Sequence, residues 1–119
     1  MAGKAFFMMR LNDHVQYLKK IDLALKGQSD FQGTTHHECK LGKWLYGAGS
    51  TEIATMKNPK AKEVFESILE PHQHFHDLAQ QVLHQKRSGD EAGVRVALTE
   101  LYLLSTILTN KLLDLDRME

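Results

Sequence analysis

The sequence predicts an all-α fold, a four-helix-type bundle with three long helices and one short cysteine-bearing helix. Three observations predict it. Apolar residues recur every three and four positions along three long segments, the spacing that gathers them on one face of a helix. Only two prolines occur. The eight glycines fall mostly between the periodic segments, where they punctuate the chain. A chain of 119 residues is enough for one core, and residues 1–119 are read as a single domain without linker, repeat or low-complexity tract.

The first helix is expected over about residues 4–26. Phe7, Leu11, His14, Leu18, Ile21 and Leu25 alternate by four and three and draw one stripe. His14 is its one polar member, and Gly27 is a natural C-terminal stop. Residues 28–35 are polar and turn-rich, hence a loop. Thr35 with Glu38 resembles a capping box, which places a short helix over about 36–46 carrying Cys39, Leu41, Trp44 and Leu45. Gly47 and Gly49 end it, and residues 50–57 carry only a faint helical signal.

Asn58-Pro59 pairs a capping residue with proline at a first helical position. The stripe that follows is Val64, Ile68, His72, Phe75, His76, Ala79, Val82 and Leu83. Pro71 is expected to kink that helix or restart it just ahead of His72. The last helix, over about 90–117, aligns Val94, Ala97, Leu98, Leu101, Leu104, Ser105, Leu108, Leu112 and Leu115.

Composition narrows the function. Fifteen basic and fifteen acidic residues cancel, so no electrostatic argument points to nucleic acid or an anionic membrane. The start, Ala5-Phe6-Phe7-Met8-Met9, is too short for a signal-peptide core, and no run approaches the roughly 20 apolar residues of a membrane span. A single cysteine excludes an intrachain disulfide and fits a reducing compartment. A cytoplasmic location is expected.

The chemistry lies in one thiol and three inward-facing imidazoles. His72 and His76 are four apart, one above the other on a helix. His14 faces the core from the first helix, and Cys39 comes from the short one. Each alone reads as ordinary packing. Together they are hard to bury unless something satisfies their polar atoms. A thiolate with three imidazoles suits tetrahedral zinc. His36 and His37 are rivals that would have to fold back over the helix start, His74 lies on the opposite side of its helix, and His84 lies near the rim of the stripe.

At these residues the chain resembles the chemoreceptor zinc-binding domain family of bacterial signalling proteins. His14 matches the family's first-helix histidine, and His72 with His76 its His-x-x-x-His pair. Cys39, Leu41, Gly42 and Trp44 match its central motif. The resemblance covers about residues 6–115. It departs at Gln16, where the family often has a large apolar residue; two positions is about 200° around a helix, so Gln16 is expected to point away from the metal. The resemblance implies a helical bundle that binds Zn2+ through His14, Cys39, His72 and His76. It implies a regulatory role beside chemotaxis receptors or cyclic-di-GMP enzymes, a homodimer, and a signalling output domain or protein as partner.

Three functions compete. A sensor would respond to zinc by mass action or to oxidants through the Cys39 thiolate, which a helix start should favour. A structural zinc staple would hold an interaction module together. An enzyme or a hemerythrin-like oxygen carrier is disfavoured: four protein ligands leave no open position, His-Glu-x-x-His is absent, and no glutamate has histidine three residues later, as di-iron bundles want. Tyr17, Trp44, Tyr46 and Phe75 are candidates to shield the metal. Gly42 is expected to permit close approach of its helix to a neighbour, and hydrogen-bond partners for the histidines are sought among nearby acidic residues.

Overall fold

A computed structural model describes residues 2–118, with side chains from Phe7 onward. The chain forms five helices in the order α1 (Ala2–Leu25), α2 (Lys40–Leu45), α3 (Gly49–Ala54), α4 (Ala61–Arg87) and α5 (Glu91–Arg117). Three are long and two short, and the body measures 49 × 21 × 19 Å. Helices α4 and α5, 27 residues each, form an antiparallel hairpin that makes up most of the length. Helix α1 lies along that hairpin, and α2 and α3 pack beside α1 and α4.

The seams read from the sequence are the buried faces. Phe7, His14 and Ile21 of α1 are buried, with Leu11, Leu18 and Leu25 half-buried between them. From α4 come Ile68, His72, Phe75, His76, Ala79, Val82 and Leu83, with Phe65 buried at the start of the seam where Val64, half-buried, was expected, and from α5 Ala97, Leu101, Leu104, Ser105, Leu108, Leu112 and Leu115. Ile68, Phe75, Leu101 and Leu108 are wholly enclosed, and each such side chain contributes about 1.5–3 kcal/mol relative to exposure.

Helix ends follow local chemistry. After α1, Gln28 N–H donates to the Leu23 carbonyl at 2.9 Å and Gly27 N–H to Ala24 at 3.1 Å, with Gly27 at φ +76°. That is the left-handed stop the sequence announced. The turn between α4 and α5 repeats it: Asp90 N–H reaches Gln85 and Gly89 N–H reaches Lys86. Asp90 then caps α5 by accepting from Gly93 N–H at 2.9 Å.

Four details differ from the expectation. Glu38 accepts from Thr35 N–H at 2.8 Å, but that pair closes a turn, and α2 starts only at Lys40. The faint segment after residue 49 is helix α3. Of the two outcomes expected at Pro71, a kink or a restart, the restart does not occur: α4 runs through the proline from Ala61 to Arg87, held by α5 and by the buried seam on both sides. Against the expectation that no run approaches a membrane span, α5 is by length and composition long and apolar enough to cross one. In this fold its leucine seam is buried in the core.

Candidate metal centre

Helix α4 carries His72 and His76 on successive turns, with ring centroids 4.7 Å apart. Both are buried. Cys39 reaches them from the turn ahead of α2. It is the N-cap residue of that helix, at φ −75° and ψ 161°, and its Sγ accepts from Gly42 N–H at 3.2 Å. Sulfur here takes the place a capping oxygen usually fills. The cap holds the thiol 3.4 Å from His72 Nε2. One donor atom from each of Cys39, His72 and His76 falls within 4.8 Å of the others.

Gly42 allows this turn to be so tight. A Cβ at position 42 would overlap the His36 carbonyl and sit 3.3 Å from Cys39 Sγ. The close approach is thus to the chain's own preceding turn and not to a neighbouring element, as was expected.

His76 is oriented by a backbone acceptor. Its Nδ1 lies 3.1 Å from the Thr34 carbonyl oxygen. An Nδ1–H donating to that oxygen leaves Nε2 with a free lone pair. Thr34 is itself held, because its N–H donates to Tyr17 Oη at 2.8 Å. The Tyr17 ring stacks 4.6 Å from His76. These partners are a threonine carbonyl and a tyrosine hydroxyl, not the acidic residues the sequence pointed to.

His14 is buried near the same histidines, its ring 4.9 Å from Phe75, but it is outside the group of three donors. Its Nε2 lies 2.8 Å from Ser105 Oγ on α5. The structure thus brings together three of the four sequence-selected residues and holds the fourth on a hydroxyl.

Burial decides the protonation states. Together with a smaller effect of neighbouring imidazoles it brings His72 down to about 3 and His14 and His76 down to about 4, the Thr34 carbonyl partly opposing the shift at His76. At neutral pH all three rings are uncharged and their lone pairs are available. Burial raises Cys39, and the Gly42 and Leu41 N–H groups only partly offset it. The thiolate favoured on helix-start grounds does not follow: the donors are present, but desolvation outweighs them. A cation arriving at Sγ would displace a proton.

The donor set fits zinc. Bonds of about 2.0–2.3 Å place donors roughly 3.5 Å apart; the Cys39–His72 pair already stands at 3.4 Å, and all three donors lie within 4.8 Å of one another. His72 Nδ1 is buried without a hydrogen-bond partner. The ring nitrogen beside Sγ is Nε2, so this Nδ1 is where a partner that supports the ring would sit.

The other candidates fall elsewhere. His36 and His37 stack on each other at 4.2 Å and flank Tyr46, outside the donor group. His74 lies 3.5 Å from Glu100, half exposed, and His84 is exposed. Gln16 is exposed as expected and lines a groove of about 470 Å³ that reaches Cys39. Tyr17, Phe75 and Tyr46 stand beside the site histidines, whereas Trp44 packs on Phe7 and Phe65 and donates Nε1–H to Glu52.

The family model described as the chemoreceptor zinc-binding domain matches residues 14–83, more than half of the chain. The span opens at His14, contains Cys39, His72 and His76, and closes in the last turns of α4. Comparison with curated proteins and with solved structures gives no match.

Proposed function

The chain belongs to the chemoreceptor zinc-binding domain family, and from that premise we propose that it is a regulatory module that senses zinc or oxidants through His14, Cys39, His72 and His76. The observation that carries the proposal is the buried Cys39–His72–His76 donor group. The setting is bacterial signal transduction of the chemotaxis or cyclic-di-GMP type. The module acts as a cytoplasmic homodimer upon a signalling output domain or protein.

The residues divide the work. Bound zinc would join α1, the turn ahead of α2, and the middle of α4. Thr34 and Tyr17 keep His76 turned so that Nε2 faces the site. Cys39 supplies the only charge-bearing donor and releases its proton on binding. The groove beside Cys39 gives small oxidants a path to sulfur. Oxidation of Sγ to a sulfenic acid would take away one ligand and free the turn of residues 36–39, which is tied to the site through that sulfur. The sensor reading is favoured over a staple because a groove lined by Cys39 leaves its sulfur within reach of small molecules. We propose no catalytic role: a fourfold protein ligand set leaves no position for water or substrate.

The test is metal analysis of the protein purified without added zinc, repeated on H14A, C39A, H72A and H76A. The proposal expects about one zinc per chain in the parent protein and a marked loss in each variant.

A further inference from the structure

Helix α5 carries a second stripe, opposite its buried seam. Ala92, Val96, Thr99, Leu103, Thr106 and Asn110 alternate by four and three, and all six are exposed. Val96 and Leu103, at 74% and 61% exposure, are the most exposed large apolar side chains among the described residues. Between Arg95 and Lys111 the only charged residue is Glu100, which lies beside the stripe and 3.5 Å from His74. Covering the two threonines costs little. Thr99 Oγ1 donates to the Arg95 carbonyl at 3.1 Å and Thr106 Oγ1 to the Tyr102 carbonyl at 3.0 Å, so neither hydroxyl depends on water. The family match ends at residue 83, and α5 lies wholly beyond it.

We propose that this outer face of α5 pairs with the same face of a second copy, as a parallel, in-register two-stranded coil. The proposal rests on the homodimer reading and deepens it by naming the face and the direction. The spacing is that of a coiled-coil seam, with Val96, Leu103 and Asn110 at one core position and Ala92, Thr99 and Thr106 at the other. A β-branched residue and a single asparagine at the first of these positions favour two parallel strands in one register. Charge complementarity fixes the same direction. In a parallel coil Arg95 flanks the seam where it meets Glu100 of the other copy, five positions on, once on each side of the axis. An antiparallel pair would lose both contacts. A bilayer would want basic residues along the rim, whereas Glu100 and Asp114 stand there. The metal centres lie on the inner side of α5, away from this axis.

The experiment combines sedimentation equilibrium with cross-linking. The parent protein is expected to sediment as a dimer. L103E, which sets two carboxylates against each other in the seam, should associate at least about tenfold more weakly while keeping the parent's helix content and zinc content. Direction is read from V96C and N110C, each oxidised with diamide beside the parent, whose Cys39 serves as the control. Each variant should link to its own copy, because a parallel register brings like positions within disulfide reach. Cross-links that form only when V96C and N110C are mixed would show an antiparallel pair and overturn the proposed direction. A dimer that survives L103E overturns the face and leaves the homodimer reading standing. A monomeric parent overturns both. Flotation of the parent, but not of L103E, with phosphatidylcholine–phosphatidylglycerol vesicles would assign the face to a bilayer and overturn the proposal as well.

Discussion

Cys39 Sγ and His72 Nε2 stand 3.4 Å apart, one from a helix cap and the other from the middle of a 27-residue helix. Thirty-three positions of sequence separate them. They converge because α2 docks against α1 and the Cys39 cap turns its sulfur inward. A thiol and an uncharged imidazole at that separation form a natural pair of ligands for a borderline-soft cation.

Removing that sulfur should be severe. Changes to groups that merely orient a metal ligand cost about 10–100-fold in affinity, and loss of the ligand itself should exceed that. C39A is expected to bind zinc more than about 100-fold less tightly by chelator competition, with helix content preserved by circular dichroism.

The Thr34–Tyr17 support should matter without touching the metal. Y17F leaves Thr34 N–H without its acceptor and loosens the carbonyl that orients His76. Zinc affinity should fall by about tenfold. Competition titration checks this, and an affinity equal to the parent's would show that the carbonyl needs no such anchor.

How much of this was legible beforehand varies with the kind of signal. The seams of α1, α4 and α5 were readable because side-chain spacing is written directly into the sequence. The start of α2 was misplaced because a cysteine, rarely counted as a cap, holds the N-cap position that Thr35 seemed to claim. The faint segment at Gly49–Ala54 has no stripe, since only Gly49 and Ile53 are buried there. Cys39, His72 and His76 were legible as types and faces. The orientation of His76 was not, because its partner is a backbone oxygen, and every residue has one. Ser105 was visible in the α5 stripe, but nothing local ties position 105 to position 14.

Acidity should weaken the metal-free protein. His14, His72 and His76 sit near 4, 3 and 4 when folded, against 6.5 for an ordinary histidine. The unfolded chain therefore binds protons that the folded one refuses. Their contribution is complete above pH 6.5 and is lost as pH falls from there toward 3–4. Thermal melts of metal-free protein should give a midpoint at pH 5 more than about 5 °C below that at pH 7.5. A midpoint that did not fall would mean the rings are already charged or solvated at neutral pH.

Position 42 should not tolerate a methyl group. G42A forces a Cβ into the His36 carbonyl and against Cys39 Sγ. The turn must move, at about 1–3 kcal/mol for an overpacked site, and the thiol moves with it. Both the melting midpoint and zinc affinity should drop, as calorimetry and competition titration would show. An affinity matching the parent's would mean the turn yields without displacing the sulfur.

Stripping zinc should leave the bundle standing. Ile68, Leu101, Leu108 and Leu112 are fully buried apolar side chains that need no metal to satisfy them. Chelator-treated protein is expected to keep its helical circular dichroism, with hydrogen exchange rising chiefly in residues 34–45. Global unfolding on chelation would instead make the metal a staple.

The most direct measurement is the zinc content of protein purified without added metal, beside H14A, C39A, H72A and H76A. The account expects about one zinc per chain in the parent and a clear loss in every variant. A parent protein without zinc, or C39A retaining it in full, would contradict the account.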